Sequence, residues 1–384
     1  MAEAMERIAA DLQALTAVPE RYAGTEGERA MLHAVRARLP EGVAGRIEAF
    51  VDHISPALWS GVHAALLLLA GAGGYWHPGI GALACFVVTL SLLGEGLGRF
   101  RLMRWWAPRT PAYNLAVKHP MPEVFGTIIL TTPLDSPRWR PQSRRWVSFR
   151  PMQIEFGAAM LVTFLLVLRF LAEPWGKPSI SLYLAALAVL AGSVVVGALA
   201  HRASSAIEEA SGPVTLLELT RRFNERPVPG LQVWTVWTAC GRAYQGGMRA
   251  FLELHGPHLP SPALVIALDE AGRQPLYAVT SEGQLIPQSF RSTGPALVER
   301  LRWAGHDVPV VSRGTSTDAR VAMIKGYRAI SFLGGESEAT PQGVIMSADL
   351  IEQMVRMYGE DLQRLVSKRQ LVQLPEEAKV VESS

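Results

Sequence analysis

The feature that most constrains this chain of 384 residues is a long run without charged side chains. Residues 54–94 contain no Asp, Glu, Lys or Arg. A membrane-spanning helix needs about 20 apolar residues, and this run is about twice as long. The sequence GAGGYWHPGIG lies in its middle and is typical of a tight turn. We therefore predict a hairpin of two transmembrane helices, over residues 57–76 and 79–97.

A second hairpin is predicted further along the chain. Residues 156–172 are apolar except for Arg169, and residues 179–200 carry no charge. Core helices of soluble proteins rarely run this far without a charged residue, so four membrane spans are favoured over four buried core helices. A helical hairpin also satisfies its own backbone hydrogen bonds, which lipid cannot do.

Basic and tryptophan side chains cluster at one end of the predicted spans. They follow the second span and precede the third, whereas the hairpin tips carry almost no basic charge. Because positive residues stay on the cytoplasmic side, we expect a multi-pass protein of the inner (cytoplasmic) membrane with its soluble domain in the cytoplasm. The net charge is only +3, so we expect this cluster to contact anionic lipid and not nucleic acid. The predicted interface residues are Arg99, Arg101, Arg104, Trp105, Trp106, Trp139, Arg144, Arg145 and Trp146.

Outside the predicted spans, helical patterns alternate with apolar, β-branched runs. Helices are predicted near residues 2–16 and 26–39, and the runs VFGTIILTTPLDS, LQVWTVWTA and ALVIALDEAG are typical of buried strands. This alternation predicts a layered α/β fold with a largely parallel sheet. The predicted organisation is a discontinuous α/β domain over residues 1–53, 110–136 and 203–374, a first hairpin with its basic flank over 54–109, a second flank and hairpin over 137–202, and a disordered tail over 375–384.

Six short motifs follow one another along the soluble pieces, at predicted strand ends and helix starts. They are RYAGTEGE (21–28), TPLDS (132–136), IEEASGP (207–213) followed by LLEL, ACGRAYQGG (239–247), ALDEAG (267–272) and TDARVAMIKGYRA (317–329). In this order they resemble the motifs of the family-28 metallopeptidases, the zinc-dependent aminopeptidases. The resemblance covers nearly all of the chain outside the predicted spans. It implies a three-layer domain with a mixed, largely parallel sheet, interrupted by four transmembrane helices.

The resemblance also implies a zinc site, and this chain departs from it at most ligand positions. The family holds two zinc ions with a His, a bridging Asp, a Glu, an Asp or Glu, and a second His. Here Pro133 and Ala339 occupy the two His positions. Glu208, followed by Glu209, occupies the position of the bridging Asp, and Asp269 is retained.

The family's paired glutamates, one the general base and one a ligand, are also missing. Depending on the register, their positions fall on Cys240 and Gly241 or on Gly241 and Arg242. At most Glu208 and Asp269 therefore remain as residual metal ligands.

Two carboxylates do not make a zinc site, because zinc sites in proteins use three or four ligands rich in His or Cys. Nothing in the matched positions would deprotonate a metal-bound water either. We therefore expect no catalytic residue and no cofactor. The expected function is that of a pseudoenzyme, a binding or scaffold subunit that contacts the lipid bilayer and a protein partner or a second copy of itself.

Two other functions compete with this expectation. The first is an active membrane-bound metallo-aminopeptidase in which Glu208, Asp269 and a loop histidine hold a single zinc ion. The second is a transporter or channel. Only the four predicted spans support it, since no charged side chain is predicted deep in the bilayer. His63 is the only ionisable group well inside a predicted span, and helix packing is its expected role.

Several other polar side chains are expected to have structural roles. Asp135 follows a predicted strand, where a carboxylate typically caps a loop or the next helix. Cys240 also follows a strand, and Arg242 could lower its pKa, but no oriented His partner is identifiable. The sequence HGPH, residues 255–258, is predicted to form a solvated loop, and Glu95 is expected to reach the membrane interface by snorkelling.

Overall fold

A computed structural model of the chain describes residues 2–52, 56–74, 76–100, 102, 109–136, 151–172, 184, 188, 191–192, 210–242, 244–290 and 293–373. Several predictions concern residues outside these ranges and stay predictions. They involve Glu208 and Glu209, the flank residues Arg101, Arg104, Trp105, Trp106, Trp139, Arg144, Arg145 and Trp146, most of the fourth span, and the tail over 375–384.

The helices and strands alternate along the chain. The first half contains α1 (Ala2–Thr16), α2 (Glu26–Arg36), β1 (Gly45–Asp52), α3 (Pro56–Gly73), α4 (Pro78–Leu97), β2 (Thr110–His119), β3 (Val124–Pro133) and α5 (Pro151–Ala172). The second half contains α6 (Ser211–Glu225), β4 (Gly230–Thr238), α7 (Gly246–His255), β5 (Ala263–Asp269), β6 (Tyr277–Glu282), β7 (Gln288–Ser289), α8 (Thr293–Trp303), β8 (Val310–Arg313), α9 (Asp318–Ile324), β9 (Arg328–Leu333) and α10 (Pro341–Gln373).

The strands form one mixed sheet in the order β1-β2-β4-β3-β5-β9-β6-β7, with β8 paired to β6. The four central strands β4, β3, β5 and β9 are parallel neighbours, and antiparallel strands flank them on both sides. All nine residues of β4 are buried, as expected of a parallel strand covered on both faces. The predicted mixed α/β sheet with parallel strands is confirmed.

Two separate apolar cores show that the domain has three layers. On one face, α1, α2, α6, α8 and α10 pack against the sheet through side chains such as Leu15, Phe223 and Ile351. On the other face, α7 and α9 pack through Phe251 and Val321. The parallel centre of the sheet is therefore fully enclosed, and its strand ends are the natural place for polar side chains.

Two long strands of the sheet, β1 and β2, are absent from the sequence prediction, as is the two-residue β7. Their sequences, GRIEAFVD and TPAYNLAVKH, mix charged, polar and apolar residues without a clean alternation. β2 is nevertheless central to the fold, because Asn114 makes two buried hydrogen bonds with the segment around α7. Its Nδ2 donates to the Gly247 carbonyl at 2.9 Å, and its Oδ1 accepts from the Ala239 amide at 3.0 Å.

The apolar helices α3, α4 and α5 pack together beside this domain. Among the described residues, two helices are long and apolar enough to cross a membrane, Pro78–Leu97 and Met152–Leu171, and the apolar stretch Gly61–Gly73 is shorter. Their outward side chains are apolar and large; Leu83 is 65% exposed and Phe164 is 58% exposed.

Polar contacts between these helices are few and local. His63 Nε2 on α3 lies 3.0 Å from Ser91 Oγ on α4, and Thr89 Oγ1 lies 3.3 Å from Thr163 Oγ1 on α5. His63 thus takes part in helix packing, as the sequence suggests. Glu95 is only 6% exposed, because the end of α4 is covered by the α/β domain. The prediction that Glu95 snorkels to the interface is wrong.

We predict that Asn114→Ala lowers the free energy of unfolding by about 2–4 kcal/mol, since it removes two buried hydrogen bonds, including the one to the Ala239 amide. The midpoint of chemical denaturation, followed by tryptophan fluorescence, measures this. Asn224→Ala, at an exposed position of α6, is the matched control. Equal midpoints for the two variants would contradict the role given to Asn114.

Candidate functional site

The carboxyl ends of the central parallel strands meet at one edge of the sheet. Asp135 follows β3, and Asp269 ends β5. The turn after β4 supplies Cys240, Gly241, Arg242, Tyr244 and Gln245, which we call the cleft loop. Ligands of open α/β sheets bind outside the carboxyl ends of parallel strands, so this edge is the candidate site.

Two arginines hold the carboxylate of Asp269. Arg242 Nη1 donates to Asp269 Oδ2 at 2.8 Å, and Arg242 Nη2 contacts Oδ1, so the pairing is bidentate. Arg313 Nη1 contacts Oδ2 from β8. Asp269 is 1% exposed. Burial alone would raise its pKa, but the charges of Arg242 and Arg313 outweigh burial and hold the pKa of Asp269 well below its usual range.

Two other carboxylates hold the backbone of the cleft loop. Asp135 accepts from the amides of Gly241 and Arg242, each at 2.8 Å. Glu28 of α2 accepts from the Cys240 amide at 2.7 Å and from the Gly24 amide at 2.8 Å. Three consecutive amides of the loop therefore donate hydrogen bonds to buried carboxylate oxygens. These bonds fix the backbone position from which the Arg242 side chain extends.

Burial raises the pKa of Glu28 to about 7 and the pKa of Asp135 to about 8. Burial is the main cause for Glu28 and Asp135, and for Asp135 the neighbouring charge of Glu28 adds to it. The hydrogen bonds from backbone amides oppose this shift without cancelling it. The pair therefore binds a proton at higher pH than isolated carboxylates would.

Cys240 is not an activated nucleophile. Its side chain is fully buried, and burial raises its pKa far above the ordinary value; the charges of Glu28 and Asp135 act in the same direction. Arg242 is turned towards Asp269 and forms its ion pair there. The interpretation that Arg242 lowers the pKa of Cys240 is wrong.

The described residues at this edge do not fit a pair of zinc ions. Pro133 packs against Gly241, where an added Cβ would lie 2.5 Å from the proline Cβ. Ala339 offers no ligand atom, and the oxygens of Asp135 and Asp269 are already engaged by amides and guanidinium groups. Within the described part of the chain, no group of three or more His, Cys, Asp or Glu side chains could hold a metal ion.

The candidate loop histidine His255 lies elsewhere. It ends α7, and its Nε2 is 2.7 Å from Glu48 Oε1 on β1. Its ring packs against Trp234 and Phe251, with centroids 4.7 Å apart in each case. The prediction of a solvated loop is therefore wrong for His255, whereas His258 is exposed as expected.

Sequence reasoning missed three charged groups of this region: Glu28, Arg313 and Glu282. Glu282 is fully buried and accepts from the Thr317 amide at 2.8 Å; burial raises its pKa, and the charge of Arg313 opposes this. Their positions in the sequence give a weak indication of a role at this edge. Glu28 lies inside the first family-like motif, and Glu282 and Arg313 each end a strand.

No protein-family model matches this chain, and no curated protein matches it either. Several solved structures are similar to it in fold. The Zn-dependent exopeptidase from Parabacteroides distasonis ATCC 8503 is 12% identical, with a TM-score of 0.47 over 93% of this chain and 96% of that chain. The glutaminyl cyclase of Fimbriiglobus ruber is 13% identical, with a TM-score of 0.48 over 91% and 94%. BSAP, a zinc aminopeptidase from Bacillus subtilis, is 11% identical, with a TM-score of 0.47 over 92% and 94%. Each is a similarity to a chain of very different sequence, and none identifies this protein.

We predict that Arg242→Met lowers the free energy of unfolding by about 3 kcal/mol, because it leaves a buried carboxylate with only one of its two cationic partners. Chemical denaturation at neutral pH measures the change. Arg302→Met is the matched control, since Arg302 forms an exposed pair with Glu299 on α8 and its loss should change stability by less than about 0.5 kcal/mol.

The pH dependence distinguishes loss of the ion pair from a packing defect. The folded-state pKa of Asp269 lies below its ordinary value of 3.8, so the pair contributes stability above that pH and loses it as the pH falls further. The contribution of the Asp269 ion pair to the stability gap between wild type and Arg242→Met should therefore shrink as the pH falls below about 3.8. A gap that stays constant into acid would mean that packing, not charge, is lost.

Proposed function

We propose that this protein is a peptidase-like pseudoenzyme, embedded in the inner membrane, that acts as a binding or scaffold subunit. The observation that carries the proposal is the clamp on Asp269. Arg242 and Arg313 place two positive charges at Asp269, the family-like zinc-ligand position that keeps its carboxylate. A metal ion would have to displace them and would be repelled by both.

The position of Arg242 strengthens this argument. In one register of the family-like motif, Arg242 occupies the position of a metal-binding glutamate. The chain then has a positively charged side chain where a zinc site needs a negatively charged one. Chemistry through a metal-activated water needs both the metal and a general base. We propose that the protein needs no zinc or other cofactor. Glu208 and Glu209 lie outside the described residues, and two carboxylates would not complete a zinc site without His or Cys partners.

The proposal of a membrane location rests on the apolar helices. α4 and α5 expose large apolar side chains along their length, including Ile80, Phe86 and Leu171. A soluble monomer rarely exposes so large a contiguous apolar surface. Together with the basic and tryptophan-rich flanks, this favours a multi-pass protein whose α/β domain lies in the cytoplasm. Its partners would be the bilayer and a protein partner or second copy.

The zinc content of the full-length protein in detergent tests the absence of a metal site. After brief exposure to excess zinc and desalting, we expect less than roughly 0.1 zinc ion per chain and no hydrolysis of aminoacyl substrates. Asp269→Asn serves as the matched variant and should bind equally little. One or two tightly held ions per chain, with peptidase activity lost in Glu208→Ala, would instead establish the active metallo-aminopeptidase.

Reporter fusions at the Ser384 end test the location separately. We expect a fluorescent protein fused there to be bright and a fused alkaline phosphatase to be inactive, because the basic flanks hold this end in the cytoplasm. We also expect alkaline extraction to leave the protein in the membrane fraction. An active phosphatase fusion would contradict the predicted orientation, and release by alkali would contradict the membrane insertion.

A further inference from the structure

The end of α4 is built into the edge of the α/β domain. An added Cβ at Gly96 would lie 2.8 Å from Leu285 Cβ, and Gly98, with φ of 71°, ends the helix in a left-handed turn. Helix α5 reaches the same place, since Gln153 Nε2 donates to the Leu285 carbonyl at 2.7 Å. The apolar helices therefore meet the domain at a small, defined junction.

Two arginines of the domain hold the last carbonyls of α4. Arg320 Nη2 donates to the Gly96 carbonyl at 2.8 Å, and Arg249 Nη2 donates to the Gly98 carbonyl at 3.2 Å. The last carbonyls of a helix lack partners within the helix and carry its negative partial charge. Two cations at this end are therefore favourable, and they fix the helix end relative to α7 and α9.

The same two arginines also lead to the cleft loop. Arg249 Nε donates to the Tyr244 carbonyl at 3.4 Å. Arg320 Nη1 donates to Ser316 Oγ at 2.7 Å, and the Ser316 carbonyl accepts from Gln245 Nε2 at 3.1 Å. Each guanidinium group thus bonds α4 on one side, and bonds the cleft loop directly or through a single residue on the other.

The cleft loop needs such support because of its backbone. Cys240, Tyr244 and Gln245 have φ values of 54°, 63° and 54°. Each of these left-handed conformations is unfavourable for a non-glycine residue and persists only where neighbouring contacts enforce it. Glu28 and Asp135 supply those contacts at the start of the loop, and the junction with α4 supplies them at its end.

We propose that the carboxyl end of α4 sets the conformation of the cleft loop, with Arg249 and Arg320 as positioning residues. A shift of the apolar helices is then transmitted to the loop, and the loop carries Arg242 to or from Asp269. This inference rests on the proposed function only in taking the cleft as the site of binding. The coupling itself requires neither a metal nor its absence.

Hydrogen exchange of the full-length protein in detergent tests the coupling. In Arg320→Met and in Arg249→Met, we expect the amides of residues 239–247 to exchange about tenfold faster, because one charged hydrogen bond to the junction is lost. Arg302→Met, on the exposed face of α8, is the control and should leave them unchanged. Faster exchange confined to residues 94–99 and 316–320 would overturn the proposal.

A second pair of variants tests the coupling from the side of the helix. Gly96→Val forces the end of α4 away from Leu285 without altering any loop residue, and Gly157→Val on α5 is its control, since an added Cβ there meets nothing within 4 Å. We expect faster exchange of the cleft loop in the first variant only. An unchanged loop in Gly96→Val would overturn the proposal even if Arg320→Met failed to fold. Zinc binding would refute the proposed function and leave this result intact.

Discussion

The structure depends on how a set of buried carboxylates is neutralised at one edge of its sheet. A carboxylate in a site closed to water is costly unless it is paired or accepts hydrogen bonds. Asp269 is paired with two guanidinium groups, whereas Asp135 and Glu28 accept from backbone amides. The two solutions are linked, because the amides belong to the same loop that presents Arg242. Losing the amide bonds to Asp135 and Glu28 would displace Arg242 from Asp269, and losing the ion pair would displace the loop. The loop, the strand ends and α2 therefore form a single electrostatic unit.

The apolar helices join the domain next to this unit, at the end of α4. The domain meets them through Arg249 and Arg320, which satisfy the carbonyls that α4 cannot satisfy itself. Apolar packing between the helices needs few specific polar contacts, and His63 with Ser91 is one of them. The position of α4 relative to the domain is therefore set by directional hydrogen bonds to the helix end. The arginines that donate these bonds also contact the cleft loop, directly or through Ser316.

The sequence predicts the strands and helices whose burial is uniform and fails where a residue's role depends on contacts distant in the chain. β3, β4 and β5 are continuous apolar runs, and their strand character is evident without a structure. β1 and β2 were missed because their composition is mixed. The pairing of Arg242 with Asp269 joins residues 27 positions apart on two different strand ends, and no local pattern carries it.

Cys240 illustrates why the site itself resists sequence reasoning. Its neighbour in sequence, Arg242, suggests a lowered thiol pKa, yet its neighbours in space are carboxylates, which raise it. The difference arises from the left-handed backbone of Cys240, since such a turn separates side chains that adjacency in sequence would bring together. Conformations of this kind are not encoded by the residue that adopts them. They are imposed by Glu28, Asp135 and the end of α4, so the chemistry of this edge depends on residues far from Cys240 in the sequence. A cleft with one of its two cations, Arg242, on its own loop can be altered by moving that loop, whereas one built on a metal ion would respond first to the supply of metal.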